Sequence, residues 1–353
     1  MLKRHSLMKI LMFVILMSYL SLAQEPYRVG TTSASFLEIG VGSAGIAMGD
    51  AYVASAQDIS ALYWNPAGLA LMKSNEAQFM YQPWVADVNS IFAGVGMQLQ
   101  GIGTIAIGIF GLDYGDIDVT TLEYQQGTGE KYTASDYCFS LSYARSIVDW
   151  FSFGASVKYI TSKIWHTSAG AMAIDLGVLI QTPFFAPKDK RDNGLRIGMS
   201  IANYGTRLQY DGDDLLFPVD QDPLAYGNYQ NVQGKYKMSE WELPQIFRIG
   251  LALAPIDIAN NKLTIEIDAT HPNNMSEYVN MGAEYKFTAP GFGDFSLRAG
   301  YKGLFLIDSI YGLRFGGGLN FHVSPNLSMK IDYAYQTIGV LGDINSLTVG
   351  IAF

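Results

Sequence analysis

The chain carries a single cysteine, Cys138, in 353 residues. One thiol forms no intramolecular disulfide, so a disulfide framework is excluded as the source of stability. Charge is scarce as well: charged residues make up 16%, against about 25% in an ordinary soluble domain. The net charge is −9 and the sequence has no basic cluster, which excludes nucleic acid as a partner, because phosphate contacts need Lys and Arg. Outside the first residues the histidines are His166, His271 and His322, scattered over different segments. No CxxC, HExxH, GxSxG or phosphate loop occurs. The reading is a non-enzymatic protein without cofactor or metal. After the first 23 residues no apolar run reaches helix length, so no later transmembrane helix is expected.

What is present points outward through the cell envelope. Lys3, Arg4 and Lys9 precede the apolar run Ile10–Leu22. That run is about 13 residues, short of the roughly 20 that span a bilayer. Ser21-Leu22-Ala23 is a small-x-small site, so residues 1–23 are expected to be a signal peptide. The rest is 49% apolar and 13% aromatic by whole-chain composition. An exported, apolar chain without a spanning helix has one way to cross a bilayer with every backbone group satisfied, the closed β-barrel.

Period-two alternation supports that reading. In Leu263–Asp268 every second residue is aliphatic. Leu327, Met329, Ile331, Tyr333 and Tyr335 share one face, opposite Ser328, Lys330, Asp332, Ala334 and Gln336. Val279, Met281, Ala283, Tyr285 and Phe287 alternate with Asn280, Gly282, Glu284 and Lys286. A soluble sandwich alternates too, but here the inward set is small and Gly-rich, and aromatics gather toward strand ends as in membrane girdles. The final stretch Ser346–Phe353 ends on an aromatic, and Phe353 resembles the assembly signal read by the barrel assembly machinery. The fold class is all-β: a transmembrane antiparallel β-barrel of about 14 strands, at 75–82, 90–99, 103–112, 135–147, 151–163, 171–182, 195–204, 244–254, 262–270, 277–287, 294–302, 311–322, 327–336 and 346–353. Short turns then fall at one end and the long loops Asp113–Ala134 and Gly205–Leu243 at the other. Both termini are therefore expected to be periplasmic.

The segment Gly40–Leu71 does not belong to this series. It is Gly/Ala-rich and does not alternate. It reads as a plug over residues 24–73, folded inside or across the mouth of a barrel formed by 74–353. Gly45, Gly49, Asp50, Asp58, Asn65 and Pro66 are its candidate plug or gate residues. Asn65-Pro66-Ala67-Gly68 has turn chemistry, as a hinge or simply as the turn into the first strand. Asp50 and Asp58 would need partners if buried, and Arg196, Arg248, Arg298, Arg314 and Lys330 face inward to supply them. With Glu266, Asp268, Glu284 and Asp332 these form an expected lumen charge network, either a releasable latch or a static one. Its mixed signs suit a filled interior better than an ion-selective pore. The loop Gly205–Leu243, with Tyr210, Phe217, Asp222, Tyr226, Tyr229, Tyr236 and Trp241, is a candidate partner surface or a lid. A calcium site at Asp211–Asp214 has only weak support, since EF-hand spacing is absent.

Gly42–Ala54 (GSAGIAMGDAYVA), Asp58 and Tyr63–Leu69 (YWNPAGL) resemble the N-terminal signature of the PorV/PorQ family. Leu263–Tyr278, Leu297–Leu306 and Ile331–Leu341 are similar to that family as well, and Asn65-Pro66-Ala67 is shared with the FadL-type barrels that the family resembles. The resemblance implies a bacterial outer-membrane barrel with an N-terminal plug. Its partners would be outer-membrane lipid, the barrel assembly machinery, and secreted proteins with subunits of the type IX secretion machine. The alternative it implies is FadL-like uptake of hydrophobic small molecules.

Overall fold

The computed structural model describes residues 29–186, 191–220, 224, 232–306 and 309–353. The expected signal peptide, 1–23, lies outside the described residues. Fourteen strands form the wall: β1 Glu76–Pro83, β2 Asn89–Leu99, β3 Gly103–Asp118, β4 Lys131–Val148, β5 Phe151–Ile164, β6 Thr167–Gln181, β7 Arg196–Gly205, β8 Ile246–Ile258, β9 Asn261–Pro272, β10 Tyr278–Ala289, β11 Gly293–Leu304, β12 Leu313–Ser324, β13 Leu327–Thr337 and β14 Asp343–Ala352. Each pairs antiparallel with the next, and β1 closes on β14 from Glu76↔Ala352 to Tyr81↔Leu347. Closure leaves no unpaired edge, the condition for strands in hydrocarbon.

The burial pattern is the inverse of a soluble sheet. Along β9, Thr264, Glu266, Asp268 and Thr270 are buried while Ile265 and Ile267 are exposed. Along β14, Leu347 is 47% exposed and its neighbour Thr348 is 0% exposed. Apolar side chains thus coat the outside, where lipid solvates them, and polar ones turn inward.

The expected strands and the observed ones agree to within a few residues, with one larger difference. β3 runs on to Asp118 and β4 begins at Lys131. Apolar alternation stops near Leu112, yet the backbone pairing continues past a register shift between Asp113 and Asp116. Gly115 sits in that shift at φ +67°. Asp116 and Asp118 then extend the hairpin as an exposed polar ribbon. Within the long loop after β7, Leu216–Val219 pairs with Val232–Lys235, a hairpin whose Pro218 and short strands hide it from a periodicity argument.

The core of the molecule is the N-terminal segment. Phe36, Val41, Ile46, Ile59, Leu62, Trp64, Leu69 and Met72 are buried together with Met80, Phe92, Phe110 and Ile160 of the wall. Its helical pieces, Ser43–Ala47 and Ala61–Trp64 and the 3-10 turns Ser35–Glu38 and Pro66–Leu71, are too short to stand without packing. The wall admits their backbone by using glycine. A Cβ on Gly154, Gly177, Gly198, Gly282 or Gly300 would fall 2.3 Å from Pro66 C, 2.1 Å from Asn65 Oδ1, 2.5 Å from Val53 O, 2.3 Å from Met48 O and 2.2 Å from Met48 C, respectively. These glycines lie on β5, β6, β7, β10 and β11, so the segment is gripped from several sides.

Overpacking a close-packed site costs about 1–3 kcal/mol. Gly300→Ala is therefore expected to lower the urea midpoint of the folded barrel by an amount in that range. Gly312→Ala, which has open space around its added methyl, is expected to leave the midpoint unchanged. Equal midpoints for the two variants would contradict the tight fit.

Candidate functional site

Gly49 and Asp50 both adopt left-handed backbone conformations, φ +69° and +64°. This turn aims the Asp50 carboxylate at the wall. Oδ1 receives Arg314 Nη1 of β12 at 2.5 Å, and Oδ2 receives Lys302 Nζ of β11 at 2.7 Å. Asn280 of β10 donates to the Asp50 carbonyl. Burial by itself raises the Asp50 pKa, but Arg314 and Lys302 outweigh it and hold the group below the usual carboxylate range. At Asp58 burial is again opposed, here by Lys330 and by donation from Ser60, and the pKa is also lowered. Lys330 reaches Asp58 from β13 and lies 3.7 Å from Asp332.

The wall also caps the segment's backbone. Asp268 Oδ2 accepts from the amides of Tyr52 at 2.8 Å and Val53 at 3.0 Å. Glu266 Oε1 accepts from the Ala54 amide at 2.6 Å. Three consecutive N–H groups without a ladder partner are thus satisfied by two acids on one strand face. Asn65 Oδ1 accepts from the Ala67 amide and caps the turn that Pro66 begins. Its Nδ2 donates to the carbonyls of Val53 and, on β6, Val178. The stretch from Asn65 to Gly68 is therefore a capped, wall-bound turn. Gly45 lies against the Trp64 ring, where a Cβ would fall 2.7 Å from Nε1, and that Nε1 donates to Val41 O.

The other expected network members divide. Arg298 is held within the wall, 2.6 Å from Glu284 and 2.6 Å from Asp332. Arg248 stacks over the Tyr63 and Trp64 rings, 5.2 and 5.7 Å from their centroids. Arg196 lines a cavity beneath the segment. Of the cations expected to supply Asp50 and Asp58, Arg314 and Lys330 make the ion pairs, and Arg298 is held by Glu284 and Asp332 instead, because alternation shows which side of the wall a residue faces and not its height along the barrel. Phe353 donates its amide to Asn75 O beside β1, with its ring half exposed.

Several contacts have no sequence signal. Ser43 meets Thr348 through its amide at 2.9 Å and its hydroxyl at 2.8 Å. Lys158 bonds Asp175 at 2.5 Å and Asn203 at 3.0 Å, and Asn203 donates to the Pro244 carbonyl. In the long loop, Phe217 stacks on Tyr236 at 4.3 Å, His166 Nδ1 contacts Asp214 at 2.9 Å, and Asp211 pairs with Lys235. Asp222, Tyr226 and Tyr229 lie outside the described residues. Among the described residues no group of three or more His, Cys, Asp and Glu is placed to hold a metal ion. Ser33 donates to the Glu242 carbonyl, so the loop's end touches the start of the buried segment.

Beneath the segment, at the end of the barrel with the short turns, lies a polar cavity of about 600 Å³ lined by Asp58, Glu76, Arg196, Lys262, Glu284, Lys286, Arg298 and Lys330. A groove of about 1050 Å³ on the outer wall is apolar and includes Phe79, Ala93, Val95, Ile107 and Leu141.

Removing one partner of a buried ion pair costs about 3–5 kcal/mol. Asp50→Asn is expected to destabilise the barrel on that scale at pH 7. Asp58→Asn is expected to cost less, since the Lys330 side chain is 22% exposed and keeps Asp332 nearby. The Asp50 pKa is lowered by folding, so its contribution is present above the unfolded value of about 3.9 and is lost as pH falls through the lower folded value. The midpoint gap between wild type and Asp50→Asn should therefore narrow on acidification below about pH 4.

Residues 22–220 match the family model described as type IX secretion system protein PorV. No curated protein matches the chain by sequence. Among solved structures, a FadL homologue of Pseudomonas aeruginosa is similar at 12% identity and TM-score 0.50, covering 93% of this chain and 99% of its own. The toluene transporter TodX of P. putida is similar at 14% identity and TM-score 0.53, covering 88% and 96%. The toluene transporter TbuX of Ralstonia pickettii is similar at 13% identity and TM-score 0.50, covering 89% and 97%. At such identities the likeness is one of fold. The family match, in contrast, runs through the buried segment and the first seven strands, more than half of the chain. The chain belongs to the PorV family of type IX secretion system proteins and is a FadL-like, fourteen-stranded outer-membrane β-barrel.

Proposed function

We propose that the protein serves type IX secretion as a fixed platform at the outer membrane, receiving exported proteins and secretion-machine subunits at its loop end rather than conducting a solute through its lumen. The observation that carries this reading is the filled interior. Most side chains between Phe36 and Met72 are buried, and they are held by ion pairs, backbone caps and glycine-sized clearances around the wall. In this reading residues 29–73 are a static plug, and Asn65-Pro66 is a structural turn rather than a hinge. Both termini face the periplasm, since short turns belong on that side and long loops outside. The loop end also carries large apolar side chains in full contact with solvent: Leu122, Leu224 and Val340 are 95%, 93% and 96% exposed. Exposed apolar groups at one end of a molecule favour a protein partner there.

Hydrophobic uptake is the second reading, and the FadL-like fold favours it. It needs an apolar route from the lumen through the wall. The large apolar volume lies on the outer surface, and behind it the pairings of β1 with β2 and of β2 with β3 run without a register shift. The cavity inside is lined by charges.

Ser43→Cys with Thr348→Cys places two thiols where the hydroxyls stand 2.8 Å apart. The oxidised pair is expected to complement a deletion strain fully for surface delivery of type IX substrates, while the strain without the protein retains them. Loss of delivery on oxidation, restored by reductant, would mean that the plug must move. Normal delivery in the deletion strain would overturn the secretion reading.

A further inference from the structure

The loop end of the barrel carries a ribbon that neither the wall nor the plug requires. The pairing of β2 with β3 ends at Asn89↔Asp113, and that of β4 with β5 ends at Ala134↔Ile164. Beyond those points β3 and β4 continue with each other, through Asp116↔Thr133, Ile117↔Tyr132 and Asp118↔Lys131. The Val119 amide then donates to Glu130 O. At strand rise, Asp113 to Asp118 carries the ribbon about 15 Å past its last pairing with β2. Its foot is held: Tyr132 stacks on Trp165 at 5.5 Å, and the Trp165 amide donates to Thr133 O. Above the foot it stands free, since a Cβ on Gly115 or Gly129 would meet nothing within 4 Å. A two-stranded hairpin alone in water is marginal, so a free-standing one points to a partner.

On the side away from β4, the edge Asp116–Val119 has no strand beside it among the described residues. An unpaired edge is a template for a further strand. Charge restricts which strand fits. Asp113, Asp116, Asp118, Glu123 and Glu130 are exposed on the ribbon, against one cation, Lys131. Lys131 lies opposite Asp118 and 3.8 Å from Asp116, with both of that pair's side chains more than half exposed. Lys163 of β5 faces Asp113 across Ser135, two strands away. Asp118, Glu123 and Glu130 make no ion pair among the described residues. Charged edges commonly keep a sheet from pairing with its own copy. That explains the acids but not Leu122 and Tyr124, 95% and 60% exposed at the tip beside them. Acids along an open edge, with apolar groups at its end, fit a strand of opposite charge that also carries apolar side chains.

We propose that the edge Asp116–Val119 docks, by strand addition, an extended protein segment that bears lysine or arginine at alternate positions. Asp116 and Asp118, two residues apart on one face, receive its cations. Its apolar side chains reach Leu122 and Tyr124. That the segment belongs to an exported protein rests on the secretion reading; the docking chemistry does not.

The test titrates a fluorescent peptide of alternating lysine and valine into the full-length barrel in zwitterionic detergent at low ionic strength. Saturable one-site binding is expected. The double substitution Asp116→Asn/Asp118→Asn should weaken it about tenfold, because complementary charge is lost. N-methylation of the peptide's backbone amides should weaken it as well, because it blocks a ladder and keeps the charge. No saturable binding, or equal binding by the double variant or by the N-methylated peptide, overturns the proposal. A barrel dimer that the double variant abolishes assigns the edge to a second copy and also overturns it. Both substitutions are at exposed sites, so the thermal midpoint should be unchanged; a lowered midpoint would show the acids to be structural and would overturn the docking role. In cells, the double variant should retain exported proteins that the wild-type chain delivers. Normal delivery by the variant, where the deletion strain retains them, overturns the proposal and leaves the secretion reading standing. Normal delivery in the deletion strain, with peptide binding intact, overturns the secretion reading and leaves the docking edge standing.

Discussion

Irregular backbone survives at membrane depth only where protein rather than lipid surrounds it, because an unsatisfied N–H or C=O there costs several kcal/mol. The N-terminal segment of this chain is such backbone, and the rest of the structure follows from enclosing it. A ring of fourteen strands pairs each strand with a neighbour on both sides. Inside the ring the segment's own groups are met by side chains: Asp268 and Glu266 cap Tyr52, Val53 and Ala54, and Asn65 caps the turn after it. Glycines at the contact positions let main chain approach main chain. The barrel is thus closed twice, once by its seam and once by its filling.

The outside of the barrel was far more legible in the sequence than the inside. Lipid imposes one demand, an apolar side chain at every second position, and that demand writes a period of two into Leu263–Asp268 or Leu327–Gln336. Where lipid ends the signal ends, so the ribbon beyond Leu112 and the hairpin at Leu216–Val219 carry no period-two mark. The interior is set by pairs that meet only in space. Ser43 and Thr348 lie 305 residues apart in sequence. That Asp50 and Asp58 need cations follows from their burial. Which cations they find depends on strand tilt and register, so Arg314 and Lys330 were foreseeable as a class, whereas the stacking of Arg248 on Tyr63 and Trp64 was not.

The charges inside bear on specificity as well as stability. A buried ion pair gains little over a well-packed apolar pair, but each misregistered arrangement would strand Asp50, Arg314 or Lys302 without a counterion. The interior polar set thereby discriminates one seating of the segment from its neighbours, a role that a featureless apolar filling cannot play. The fold is shared with proteins described as toluene transporters.

The central claim is that residues 40–72 are the core of the native barrel rather than a movable stopper. Amide hydrogen exchange of the protein in lipid nanodiscs measures this most directly. Tyr52, Val53 and Ala54, together with the amides of Ser43–Ala47, should be protected to the same degree as the strand amides of β9 and β10 and should exchange only with them. Exchange of these amides within minutes, while the strands stay protected, would contradict the account.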